Sequence, residues 1–179
     1  MCLQLQPGET VGFVVSHVAH LTPATRSLVA RAAIGCGVAA LQGNATQEAT
    51  LRDAVVEKAK VLIIAAGRDD TSALILLTAR HLNPAVRVIV SAKEDENIKL
   101  FRQGGANSIV APSTIGGHAL AAAVDQPHMV QYLEDLLTAG GRVNLIEREV
   151  REEEVGKSAA DLKPALVLRV YRGAAILPT

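Results

Sequence analysis

Between positions 61 and 112 the apolar residues fall into short runs separated by polar, helix-like stretches, in the order strand, helix, strand, helix, strand. Residues 61–65 (VLIIA) form a continuous apolar run, the pattern of a parallel strand covered on both faces. The polar turn at 67–71 (GRDDT) offers Asp70 or Thr71 as the cap of a helix over 72–81. Asn83-Pro84 closes that helix, because a residue preceding proline avoids the helical region. Residues 86–90 predict the next strand, 94–103 the next helix with Gly104-Gly105 as its stop, and 108–110 a last short strand. Such alternation predicts an open, mostly parallel α/β sheet whose ligands sit at the carboxyl ends of the strands.

On the N-terminal side, residues 11–15 read as a strand and 22–33 as a helix with Thr22 at the cap and Pro23 at its first position. A strand over 38–41 and an amphipathic helix over 47–55 follow. On the C-terminal side, 114–137 is helical and broken by Gln126-Pro127. Leu120, Val124, Val130, Leu133, Leu136 and Leu137 supply its apolar stripe. Residues 143–150 alternate like a strand, the acidic 151–154 reads as a loop, and 166–171 with 174–177 read as a hairpin around Arg172-Gly173.

Several of these segments carry a resemblance. Ala79-Arg80-His81-Leu82-Asn83-Pro84, Glu96-Asn97, Gly105-Ala106-Asn107 and Ala111-Pro112 follow one another as A-R-x-L-N-P, E-N, G-A-D/N and A-P do in one family. Gly43-Asn44-Ala45-Thr46 and Val56-Glu57-Lys58-Ala59 match its G-D-A-T and V-E-K-A. The chain resembles the TrkA-N (RCK) regulatory domain of bacterial potassium channels and potassium-uptake systems. The resemblance implies a Rossmann-like core over 1–112, crossover helices that pair with a second copy over 113–140, and part of a small C-terminal lobe over 141–179. It also implies a chain shortened at both ends. Complete members carry G-x-G-x-x-G after their first strand. Here residues 11–15 are either the second strand, with the glycine loop absent, or the first, with residues 16–22 in the loop's place. The order of the later motifs favours the second strand, and the phosphate loop is missing in both readings.

Composition narrows the partners. Apolar residues make up 49% of the 179 and charged residues 20%, the balance of a globular chain. With 2% aromatics and no Trp, the core is expected to be built from Ala, Val, Leu and Ile, and a single-stranded nucleic-acid role, which needs stacking platforms, is disfavoured. Eighteen basic and eighteen acidic residues cancel, which argues against DNA or an anionic lipid surface. Cys2 and Cys36 make neither a metal pair nor a disulfide framework. No signal-like opening stands at the start, and no stretch approaches the ~20 apolar residues of a membrane helix. The expected place is the cytoplasm, at the inner membrane face through a pore-forming partner or missing segment.

Few motifs point to chemistry. Residues 35–40 fit G-x-G-x-x-A, but they leave a helix and enter a strand, the reverse of a dinucleotide loop. Gly156-Lys157-Ser158 lacks the glycine a P-loop needs five residues earlier, where Arg151 stands. His17, His20, His81, His118 and His128 show no metal-ligand spacing. Glu94-Asp95-Glu96 reads either as a hard-cation ligand set or as the acidic first turn of a helix. No catalytic residue and no metal ligand is assigned.

The strand-end cleft remains, with Asn44, Gly67, Arg68, Ser91 and Lys93 as candidate binding residues. Arg68 and Lys93 read either as phosphate contacts or as ordinary surface charge. Calcium-gated members carry carboxylates where Ser91 and Lys93 stand, which counts against calcium. The cofactor implied is an adenine nucleotide or NAD(H). Tight NAD binding is not expected without the glycine loop's amides. The resemblance implies a non-enzymatic gating domain in a homodimer or larger ring, attached to a channel pore or transporter subunit. The alternatives are a fragment of an NAD(P)-binding oxidoreductase and an assembly domain without ligand.

Overall fold

The computed structural model describes residues 11–14, 41, 43–138, 145–158, 161–162, 167–173 and 175–177. Two units divide at residue 129. The expected helix over 22–33, Cys2, Cys36, the 35–40 motif, His17 and His20 lie outside the described residues. So does the expected strand over 38–41, apart from Leu41.

The first unit is a four-stranded parallel sheet in the order β1 (Val11–Val14), β2 (Val61–Ile64), β3 (Arg87–Ser91), β4 (Ser108–Val110). Around it run α1 (Glu48–Asp53), α2 (Asp69–Leu82), α3 (Ile98–Gln103) and α4 (Pro112–Ala123). The registers Leu62↔Val88 and Ile64↔Val90 align the buried positions of β2 and β3 on one face. Against the unit's core stands the stripe Ser72, Ile75, Leu76, Ala79 of α2, spaced at 3.6 residues per turn, with Phe101 of α3. Each fully buried Ile, Leu or Val stabilises by about 1.5–3 kcal/mol. The opposite positions Val61, Ile63 and Ile89 are half-buried, so β2 is less evenly covered than its continuous apolar run suggests.

β1 pairs directly with β2, Val11 opposite Val61. In the doubly wound order 3-2-1-4-5-6, the strand beside the fourth is the first. By the motif order, residues 61–64 are the fourth strand. The pairing therefore sets β1 beside that strand, the position that the first strand holds in the full order.

Several boundaries differ from expectation for physical reasons. α2 begins at Asp69 with Arg68 as its N-cap and no side-chain cap, so neither Asp70 nor Thr71 caps it. The acidic run 94–96 does not open an α-helix; it enters a tight 3₁₀ turn at Asp95–Asn97, and α3 starts at Ile98. α1 stops at Asp53, and Val55 takes a left-handed backbone (φ 57°) before a 3₁₀ turn at Val56–Lys58. α3 ends as its glycines predict. Gly105 sits at φ 87°, and the N–H groups of Ala106 and Gly105 donate to the carbonyls of Phe101 and Arg102, a Schellman closure.

In the second unit, α5 (Met129–Leu137) follows the break at Gln126-Pro127. β5 (Val170–Arg172) and β6 (Ala175–Leu177) form the expected antiparallel hairpin, with Gly173 at φ 62° in the turn. Residues 145–150 are not a strand, and 152–154, read as loop, form a 3₁₀ turn. There Glu154 accepts from the Arg151 N–H (2.9 Å) and from both Arg148 terminal nitrogens (2.7 and 2.6 Å).

Candidate functional site

The strongest motif of the sequence, A-R-x-L-N-P with its distant partners, is a set of clamps. Arg80 reaches from the last turn of α2 to the backbone of two other connections. Its Nη2 donates to the Gly105 carbonyl (2.6 Å) and Asn107 Oδ1 (2.6 Å), its Nε to Gly105 again, and its Nη1 to the carbonyls of Pro84 and Val86. Asn107 Oδ1 also accepts the Val88 N–H at 2.7 Å, and the Asn107 N–H donates to the Val88 carbonyl. Asn83 Nδ2 donates to the carbonyls of Val56 (3.0 Å), Glu57 (3.2 Å) and Ala59 (3.1 Å), which holds the turn that Val55 enters. These residues bind backbone, and their side chains are occupied in doing so.

The carboxyl ends of β2 and β3 lie side by side, because the strands are parallel and in register. Gly67 and Arg68 leave β2 there, and Ser91 and Lys93 end and leave β3. Gly67, Arg68 and Lys93 are exposed and Ser91 is half-buried. The two connections are tied by Asp69, which is only 8% exposed. Its Oδ1 accepts the Lys93 N–H (2.9 Å), and its Oδ2 accepts the Glu94 N–H (3.0 Å) and Asn97 Nδ2 (2.8 Å). Burial pushes the Asp69 carboxyl up, but the bonds from Asn97, Glu94 and Lys93, with the Lys93 charge, leave it below its ordinary value. Sequence reasoning passed over Asp69, since two of its three donors are backbone N–H groups that leave no trace in residue spacing. The Asn of Glu96-Asn97 was the one visible sign.

Arg68 is paired with Asp70, Nη2 to Oδ2 at 2.6 Å and Nε to Oδ1 at 3.1 Å. That guanidinium, followed by the Thr71 N–H, holds the Asp70 carboxyl far below the usual carboxylate range. Asn44 Oδ1 accepts from the Thr46 N–H (3.1 Å) and hydroxyl (2.8 Å), which closes the 43–46 turn on itself. The structure thus brings Gly67, Arg68, Ser91 and Lys93 to one edge. Asn44 follows a segment outside the described residues.

Beside this edge lies a shallow groove of about 420 Å³ lined by Lys93, Glu94, Asp95, Ser113, Thr114, Gly117 and His118. Among the described residues, no three His, Cys, Asp or Glu side chains approach closely enough to hold a metal ion. The first turn of α2 carries Asp69 and Asp70, whose charge repels phosphate. The described residues therefore do not fit a pyrophosphate. At the strand-end edge itself the half-buried Ser91 and the exposed Lys93 carry a hydroxyl and an ammonium.

An open parallel α/β sheet with its polar edge at the strand ends defines a Rossmann-like domain. Residues 24–112 match the model of the TrkA-N domain, and over this stretch the chain belongs to that family. A Methanocaldococcus jannaschii protein named "Probable potassium channel protein 2" is 35% identical over 95 residues, 53% of this chain and 28% of that protein. A Methanothermobacter thermautotrophicus protein named Trk system potassium uptake protein TrkA homolog is 24% identical over 168 residues, 90% of this chain and 76% of that protein. Among solved structures, the TrkA-N domain of the inner membrane protein ybaL from Escherichia coli aligns with a TM-score of 0.47 at 27% identity, covering 53% of this chain and 71% of that one. The chain spans 15%, 28% and 34% of the length of its first three matched relatives.

Proposed function

We propose that this chain is the ligand-sensing regulatory domain of a potassium channel or potassium-uptake system, and that it is not a catalyst. The observation that carries this reading is the TrkA-N match over residues 24–112, in a chain whose relatives bear potassium channel and potassium uptake names. The ligand is an adenine nucleotide or NAD(H), with its sugar or base end against Asn44, Gly67, Arg68, Ser91 and Lys93. The domain acts in the cytoplasm as a homodimer or larger ring, with residues 113–140 as pairing helices and a channel pore or transporter subunit as partner. No helix among the described residues is long and apolar enough to cross a membrane, so that reading takes the pore from another segment or chain.

Thermal unfolding of the purified chain against ATP, ADP, AMP, NAD and NADH tests the ligand. A nucleotide at about 100 times its dissociation constant adds about 2.7 kcal/mol to stability. The reading expects one of the five to raise the melting temperature and Lys93→Ala to reduce that rise. No shift with any of them, across millimolar concentrations, removes the nucleotide from the account and favours an assembly domain.

A further inference from the structure

The connection between β3 and α3 is held from two sides. On one side Asp69, in the first turn of α2, accepts from the Lys93 and Glu94 N–H groups and from the Asn97 amide. On the other side the first turn of α4 reaches back. The Thr114 hydroxyl donates to Asp95 Oδ1 at 2.6 Å, and the Ser113 hydroxyl donates to the Lys93 carbonyl at 3.3 Å. Lys93 thus carries a bond from each side on its own peptide groups. α4 contains no buried residue, and Leu120 is 75% exposed, so apolar burial does little to fix it. A helix without a buried face depends on its polar end contacts for its position. The first turn of α4 is further defined by the Ile115 N–H donating to the Ala111 carbonyl.

We propose that residues 93–97 work as a two-sided latch, through which the position of the α2 N-terminus sets the order of the first turn of α4. The latch is a property of the ligand-free chain. Its use in signalling rests on the reading above, since a ligand at Ser91 or Lys93 would bear on the latch and so on α4.

Site-resolved amide hydrogen exchange on the full chain without ligand tests this. Asp69→Asn keeps the side chain's shape but turns a donor group toward donors. It is expected to speed exchange roughly tenfold at Lys93 and Glu94, the scale of about one net hydrogen bond. The latch also requires faster exchange at Ile115 and Gly116, while Leu62, Ile64, Val88 and Val90 stay unchanged. Working from the other side, the pair Ser113→Ala and Thr114→Val should speed exchange at Lys93 and Glu94 without touching α2. Acceleration confined to the mutated side, or spread evenly over the sheet, overturns the latch. Should Asp69→Asn fail to fold, the Ser113/Thr114 variant decides alone. A missing nucleotide response leaves this test untouched, so the two claims fail separately.

Discussion

Asn83→Ala is the perturbation whose cost follows most directly from the structure. The Asn83 Nδ2 faces three carbonyls, those of Val56, Glu57 and Ala59, within 3.0–3.2 Å, and its Oδ1 accepts the Ala85 N–H at 3.2 Å. An amide nitrogen has two hydrogens, so at most two of the three contacts are full hydrogen bonds. At about 0.5–1.5 kcal/mol net for each, the donors contribute about 1–3 kcal/mol, and the carbonyl acceptor adds less than one. Val56 and Ala59 are buried, so water replaces these bonds poorly. The expected loss is about 2–3 kcal/mol, or a fall of about 4–12 °C in melting temperature for a chain of this size. Asn83→Asp has the same shape and should cost about 1–2 kcal/mol more at neutral pH, because a carboxylate then faces three carbonyl oxygens. That surplus should shrink in acid, where the protonated group donates once. Urea unfolding of the three proteins measures both differences. A loss under about 0.5 kcal/mol for Asn83→Ala, or an Asp no worse than Ala, refutes the reasoning.

Other consequences follow from single residues. Val55 is a β-branched residue at φ 57° and is 46% exposed, so Val55→Gly relieves left-handed strain of about 1–2 kcal/mol against a smaller entropy cost. The urea midpoint should rise or stay level, and a clear fall would show that Val55 is held by contacts and not strained. Asp69 has its folded carboxyl below its ordinary value near 3.8, so its stabilisation is full above that pH and drains as the pH falls through the folded value. Acid titration of stability should therefore fall less steeply below pH ~4 in Asp69→Asn than in the native chain. Equal slopes would mean that the Asp69 carboxylate is not selectively bound by its three donors.

The sheet was legible because β2, β3 and β4 are apolar runs with polar punctuation, and parallel pairing needs little more. Arg80, Asn83 and Asn107 were visible as letters of a motif, while their task, binding backbone carbonyls and a backbone N–H across 19 to 27 positions of sequence, was not. Side-chain contacts to backbone leave no residue-type partner to notice, and Asp69 escaped for the same reason. Gly104-Gly105 was read correctly because a left-handed helix stop demands glycine. The left-handed Val55 could not be foreseen, since a β-branched residue is the last choice for that conformation. Among the candidate site residues, Gly67, Arg68, Ser91 and Lys93 were placed by a general rule about strand ends. The pairing of Arg68 with Asp70, two positions away, was open to inspection and was missed.

The central claim is control of potassium movement, and rubidium uptake in cells with and without this chain tests it most directly. The account predicts that removing the chain changes the uptake rate, and that restoring a Lys93→Ala version returns flux without its response to cellular nucleotide levels. Uptake that is the same with and without the chain, at every external potassium concentration, would contradict it.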